Sequence, residues 1–159
     1  MNESHEPVLE MLWERRDPGQ ALRAGFGFSD ARAAGRWVAD TLDRLPAQLV
    51  HFDFRSANVL SAGAEVTAIL DFEEAQHDHR LVELARAAIL LGTRYHDWGP
   101  VPAEVRAGFL AGYQAVCPLT PDEASWLEIL LLWQAMAMVP PGDDPTGWGP
   151  SALSQLPRP

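Results

Sequence analysis

The chain has 159 residues, of which 47% are hydrophobic and 21% charged, with a net charge of −10 and a pI near 4.8. That is the size of one domain with enough apolar material for a core. So acidic a balance argues against nucleic acid or an anionic membrane as the main partner, because both need a basic surface.

A single cysteine, Cys117, excludes an internal disulfide. The opening MNESHEPVLE is polar and acidic, unlike a secretory signal. The most apolar run, residues 127–139, carries Glu128 and Gln134 and is shorter than the ~20 residues that span a bilayer. The cytoplasm is the expected compartment. All twelve cationic side chains of the Lys/Arg class are arginine, so the chain contains no lysine.

Residues 1–30 carry little pattern, although PVLEMLWERR suits a short helix ended by Pro18-Gly19. Ser29 or Asp30 then caps a helix over 31–45, with Ala34, Val38, Leu42 and Leu45 on one face and Pro46 as its stop. A short strand follows at 48–51. Strands at 58–61 and 66–72 are joined by AGAE, a hairpin connection with Gly63 near its centre.

The remainder reads as helical. The segment HRLVELARAAILLGTRY places Leu81, Leu84, Ala85, Ala88 and Leu91 on one face, with Asp78 as the expected cap and His77–His79 as cap and solvated loop. PAEVRAGFLAGYQAV aligns Val105, Phe109, Tyr113 and Val116 in the same way. A third helix, about 121–139, opens with Thr120 as cap, Pro121 in the first turn and Glu123 completing a capping box. It is apolar nearly all round and is expected to be the buried one. Trp98, Trp126, Trp133 and Trp148 are read as core residues. The Pro/Gly-rich tail, 141–159, is expected to be extended or loosely packed. The expected organisation is a weakly patterned segment 1–30, a body 31–140 and that tail.

The stretch HFDFRSANVL, residues 51–60, packs a histidine, an aspartate, an arginine and an asparagine between strand-like segments. In an antiparallel hairpin turning near Gly63–Ala64, positions summing to about 129 face each other, which puts Asn58 opposite Asp71. Asp53 lies just upstream, so three oxygen-bearing side chains converge at the open end of the hairpin. An amide and a carboxylate are hard ligands suited to Mg²⁺. A second carboxylate can take a proton from an attacking hydroxyl.

HFDFRSANVL followed by AILDFEEA resembles the catalytic and metal-binding segments of the aminoglycoside phosphotransferase/choline kinase-like family, over roughly residues 45–140. The resemblance implies an α+β, mainly helical fold, the C-terminal lobe of the protein-kinase-like architecture, with short strands carrying the site. It implies Asp53 as catalytic base and Asn58 and Asp71 as ligands of Mg²⁺ on the ATP phosphates. Arg55 would offset charge on the transferred phosphoryl group, and His51 would brace the loop through backbone contacts. The acceptor would be a hydroxyl of a small molecule such as an aminoglycoside, homoserine or choline. Two departures stand out. Phe52 replaces the glycine usual after the histidine, which puts the loop backbone in question. Glu83 stands where the family usually has aspartate, so a longer or different contact to the catalytic loop is expected.

A less favoured assembly, a metallohydrolase using His51, Asp53, Asp71, His77, Asp78 and His79, leaves Asn58 and Arg55 without roles. The lobe is expected to be inactive alone. The 50 residues before His51 read as helix and loop. AGFGFSD has Gly25 and Gly27 but Asp30 where a third glycine would fall, and no lysine exists to pair with phosphates. An inactive remnant or a partner-dependent lobe is the alternative reading.

Overall fold

A hairpin, a polar ribbon and four helices make up the part of the chain that a computed structural model describes, residues 44–93, 98–140 and 143–155. The expectations for residues 1–43, including the two N-terminal helices and the Gly25/Gly27 segment, lie outside the described residues, as does Tyr95. Residues 46–154 form one unit; Arg44, Leu45 and Gln155 belong to a second.

Strand β1, Ala47–Val50, pairs antiparallel with β4, Gln76–His79, from Ala47 opposite His79 to Val50 opposite Gln76. Strand β4 corrects the expectation of a solvated loop at His77–His79. Its QHDH sequence has no apolar residue to mark a strand, and the pairing with β1 supplies the order. Between these strands lies the hairpin of β2, Val59–Ala62, and β3, Glu65–Ile69. Its tip residue Gly63 has φ +65, a conformation that costs glycine nothing.

The hairpin register differs from the expected one. Val59 faces Ile69 and Leu60 faces Ala68, but an irregularity between Leu60 and Ser61 sets Ser61 against Val66. Asn58 therefore faces Leu70, whose N–H donates to Asn58 O at 2.8 Å. Asp71 thus lies one residue beyond the position opposite Asn58 that the sequence predicts for it.

Helix α1, Arg80–Leu90, follows β4 with no intervening loop. His79 occupies its N-cap position without a side-chain cap bond, while Asp78 accepts from His79 N at 2.6 Å, so Asp78 is not the cap that the sequence suggests. Leu81, Leu84, Ala85 and Ala88 are buried as expected, joined by Ala87, Ile89 and Leu90. Burying side chains of this size contributes about 1.5–3 kcal/mol for each leucine or isoleucine.

Helix α1 packs on α3, Pro121–Ala137, which buries Trp126, Leu127, Ile129 and Leu130. Helix α2, Ala103–Val116, has the expected bounds but buries no residue fully, and Val105 and Val116 are exposed. The periodicity gives the helix; it does not guarantee a partner for the stripe. The tail also departs from expectation. Trp148–Leu153 forms α4, and Trp148 and Ala152 join Ile89, Leu90 and Ala135 in the core. Gly147 turns the chain at φ +82. The N–H of Gly149, the Thr146 hydroxyl and the N–H of Gly147 hold the Asp144 carboxyl below the usual carboxylate range.

One ion pair ties the ribbon–helix junction to α3. Arg80 donates Nε to Glu123 Oε1 at 2.7 Å and Nη2 to Oε2 at 2.8 Å, with Nη1 on Cys117 Sγ at 2.7 Å. Glu123 has 0% exposure. It also completes the capping box, accepting from Thr120 N at 2.9 Å while its own N–H donates to Thr120 Oγ1 at 3.2 Å. The Arg80 fork, and then the Thr120 bonds, hold its carboxyl down at about 2 against the penalty of burial. The same pairing raises Arg80 further above its ordinary value.

Candidate active site

The loop between β1 and β2 leaves the ribbon at His51 and enters the hairpin through a 3₁₀ turn, Ser56–Asn58. His51 is buried, and both its ring nitrogens are engaged. Nε2 meets Leu70 O at 2.7 Å and Nδ1 accepts from Asp53 N at 3.3 Å. Both bonds are satisfied by the tautomer with its proton on Nε2. The ring lies between Phe72, with centroids 4.6 Å apart, and Phe54, at 6.3 Å. With both nitrogens spent on backbone, His51 is not disposed as a metal ligand, which removes one member of the metallohydrolase assembly.

Leu70 is held on both sides, its N–H by Asn58 O and its carbonyl by His51. The peptide that enters Asp71 is thus fixed to the loop that carries Asp53. Asp71 has φ +63, unusual for a residue with a side chain, and its side chain is exposed, not buried in the helical core.

The Asp53 carboxylate is oriented through one oxygen. Oδ2 accepts from Asn58 Nδ2 at 2.8 Å and from Arg55 Nε at 3.0 Å. Asn58 Nδ2 also donates to Asp53 O at 2.9 Å. This leaves Asn58 Oδ1 as the acceptor of that amide and Asp53 Oδ1 as the oxygen clear of both donors. Arg55, expected on the transferred phosphoryl group, forms a salt bridge with Asp53 in this structure. The Arg55 guanidinium also sits over the Trp98 ring, 5.2 Å from its centroid. Trp98 is 44% exposed and so is not a core residue, whereas Trp126 and Trp148 are, and Trp133 is half-buried.

Phe52 adopts φ +68, the left-handed region in which glycine is at ease. The backbone at Phe52 thus lies where glycine is favoured, despite the aromatic side chain. Glu83 Oε1 accepts from Phe52 N at 2.8 Å, so its contact to the loop is direct, not lengthened. Arg86 Nε donates to Phe52 O at 2.7 Å, a contact that the sequence reading missed. Its signal was present: Arg86 is three residues after Glu83 and shares its side of the helix. Of the two acids after Phe72, Glu73 is exposed and Glu74 approaches Arg86 at 3.9 Å.

Asn58 Oδ1 and the exposed Asp71 carboxylate are hard oxygen donors, few in number, which fits a Mg²⁺ that takes its other ligands from phosphate and water. Among the described residues, no group of three or more His, Cys, Asp or Glu side chains is set to hold a metal by itself, and no helix is long and apolar enough to cross a membrane.

A family model described as the phosphotransferase enzyme family matches residues 3–129. A homoserine kinase of Methylobacillus flagellatus is 38% identical over 91 residues, covering 52% of this chain and 26% of that protein. A homoserine kinase of Phenylobacterium zucineum is 30% identical over 128 residues, covering 78% of this chain and 37% of that protein. The chain spans well under half the length of either curated relative.

Proposed function

Because the chain belongs to the phosphotransferase enzyme family, we propose that it forms the C-terminal lobe of an ATP-dependent kinase acting on a hydroxyl of a small molecule. The observation that carries this reading is the posture of Asp53. Oδ2 is fixed by Asn58 and Arg55, and Oδ1 is left to receive a hydroxyl proton. A base must be held in this way to act on a positioned acceptor. The two homoserine kinases make a small hydroxy amino acid the first acceptor to assay, ahead of aminoglycosides and choline.

In this mechanism Asp53 orients the acceptor hydroxyl and takes its proton. Arg55 keeps its two Nη groups clear of Asp53, available to the charge on the transferred phosphoryl group. Asn58 Oδ1 and Asp71 hold Mg²⁺, which supplies neutralising charge on the ATP phosphates. His51 fixes the peptide before Asp71 and the amide of Asp53 together, so base and metal side share one brace. The lobe works in the cytoplasm, beside an N-terminal lobe that covers the phosphates. The phosphate-pairing lysine must come from that partner, since this chain has none.

Two outcomes test this. The purified 159-residue chain is expected to show no turnover with ATP and homoserine and at most weak Mg²⁺–nucleotide binding, measured by calorimetry. Phosphorylation by the chain alone, abolished by Asp53→Asn, would overturn the need for a second lobe. In a longer protein that completes the site, Asp71→Asn is expected to weaken Mg²⁺-dependent nucleotide binding about 10-fold or more, with metal-independent binding unchanged. Unaltered Mg²⁺ dependence would remove Asp71 from the metal site.

A further inference from the structure

Phe52 is held by three contacts from one helix. Its N–H donates to Glu83 Oε1 at 2.8 Å, its carbonyl accepts from Arg86 Nε at 2.7 Å, and the Arg86 guanidinium lies 5.3 Å from the centre of its ring. The residue so gripped is the one bearing a side chain at φ +68, and it stands between His51 and Asp53. An L-residue with an aromatic side chain leaves the left-handed region readily unless its surroundings hold it there.

We propose that Arg86 is the positioning residue of the Asp53 loop, and that its importance is set by the side chain at position 52. With phenylalanine there, the arginine must hold both the carbonyl and the ring; with glycine there, the backbone keeps the same conformation unaided. The consequence reaches Asp53 along the chain. If Phe52 swings out of the left-handed region, the Asp53 N–H leaves His51 Nδ1, which loses its donor while the Leu70 carbonyl still holds the proton on Nε2. Lysine is a poor replacement for Arg86, since it lacks the planar fork that bonds the carbonyl while lying over the ring. Arg86 thereby sets the geometry of a base on which it has no direct contact. The inference rests on the reading of Asp53 as that base only for its meaning, not for its measurement.

The test uses the 159-residue chain, labelled with ¹⁵N, and needs no nucleotide. Two quantities are read: the hydrogen-exchange protection of the Phe52 and Asp53 amides, and the His51 ring-nitrogen shifts, of which Nδ1 reports whether it still accepts the Asp53 N–H. Arg86→Ala is expected to lower protection at both amides by about tenfold or more relative to amides of α3, and to move the His51 Nδ1 shift toward that of an acceptor without a donor while Nε2 stays protonated on Leu70 O. Adding Phe52→Gly to Arg86→Ala is expected to restore both. Phe52→Gly alone is expected to leave both unchanged. Should Arg86→Ala fail to fold, Arg86→Gln, which keeps one donor, takes its place with the same glycine rescue. Lowered thermal stability with unchanged His51 shifts and amide protection would show a merely structural arginine and overturn the proposal, as would loss without rescue by glycine. Failure of phosphoryl transfer in the completed enzyme would leave these results standing, so the two readings fail separately.

Discussion

Asp53→Asn, in a longer protein that completes the site, is expected to lower turnover by about 10²–10⁴-fold with nucleotide affinity nearly unchanged. The reason lies in which oxygen is used. The amide oxygen of the new asparagine can occupy the place of Oδ2 and keep its bonds from Asn58 Nδ2 and Arg55 Nε. Its NH₂ group then stands where Oδ1 was, presenting a donor to the hydroxyl where an acceptor is required. The loop survives and the proton has nowhere to go. Steady-state kinetics with calorimetric nucleotide affinity check this. A comparable fall in nucleotide affinity would mean that Asp53 serves the metal site, and the division of roles between Asp53 and Asp71 would be wrong.

The largest effect on stability is expected at Glu123. Glu123→Ala strands the Arg80 guanidinium beside a void and removes the reciprocal half of the α3 capping box, a loss of about 3–5 kcal/mol. Glu123→Gln keeps an oxygen for Thr120 N or for Arg80 and is expected to cost less, about 1–3 kcal/mol. Urea denaturation at neutral pH gives both values. The wild-type chain carries a pH signature as well. The Glu123 carboxyl titrates at about 2 when folded, against an ordinary 4.5. A carboxyl whose folded value is depressed stabilises the fold fully above its unfolded value, and that contribution falls away as pH drops from about 4.5 through about 2. Its size is roughly 3 kcal/mol. The Gln variant has no such carboxyl and should lose less stability over this interval. Parallel pH profiles of the two proteins would show that the Arg80–Glu123 pair does not govern acid stability.

How much of this could be read from the sequence differs residue by residue. The hairpin was legible because Gly63 sits between two short strand-like segments, the second carrying Val66, Thr67 and Ile69, and the α3 start because Thr120, Pro121 and Glu123 each signal a helix N-terminus. Asp53 and Asn58 stood out by spacing inside an apolar frame, and the bond between them now accounts for that spacing. The pairing of Asn58 with Asp71 was read one residue out: the pairs beside the tip, Ser61–Val66 and Ala62–Glu65, sum to 127 and not 129, and the irregularity at Leu60/Ser61, which has no local marker, recovers one of those two residues. Strand β4 escaped notice because a polar strand that forms by pairing with β1 shows no two-residue alternation. Trp148 was read as a core residue and is one, but the helix that carries it, Trp148–Leu153, was masked by neighbouring prolines and glycines. A contact of Glu83 to the loop was expected, and Arg86 three residues on shares its side of the helix, but that both close on the backbone of Phe52 needed the approach of α1 to the loop.

Both sheets are two-stranded, so each strand keeps one edge without a strand partner among the described residues. Leu49, Val66 and Ile69 on those strands are exposed as well. Open edges with apolar side chains are templates for pairing between copies. What opposes such pairing in solution is the charge of −10, a colloidal barrier that vanishes near the pI of about 4.8. At that pH the Glu123 carboxyl, which titrates at about 2, is still ionised and paired. The fold and the suspension therefore answer acid separately: copies lose their mutual repulsion well before the buried pair that holds each one together is discharged.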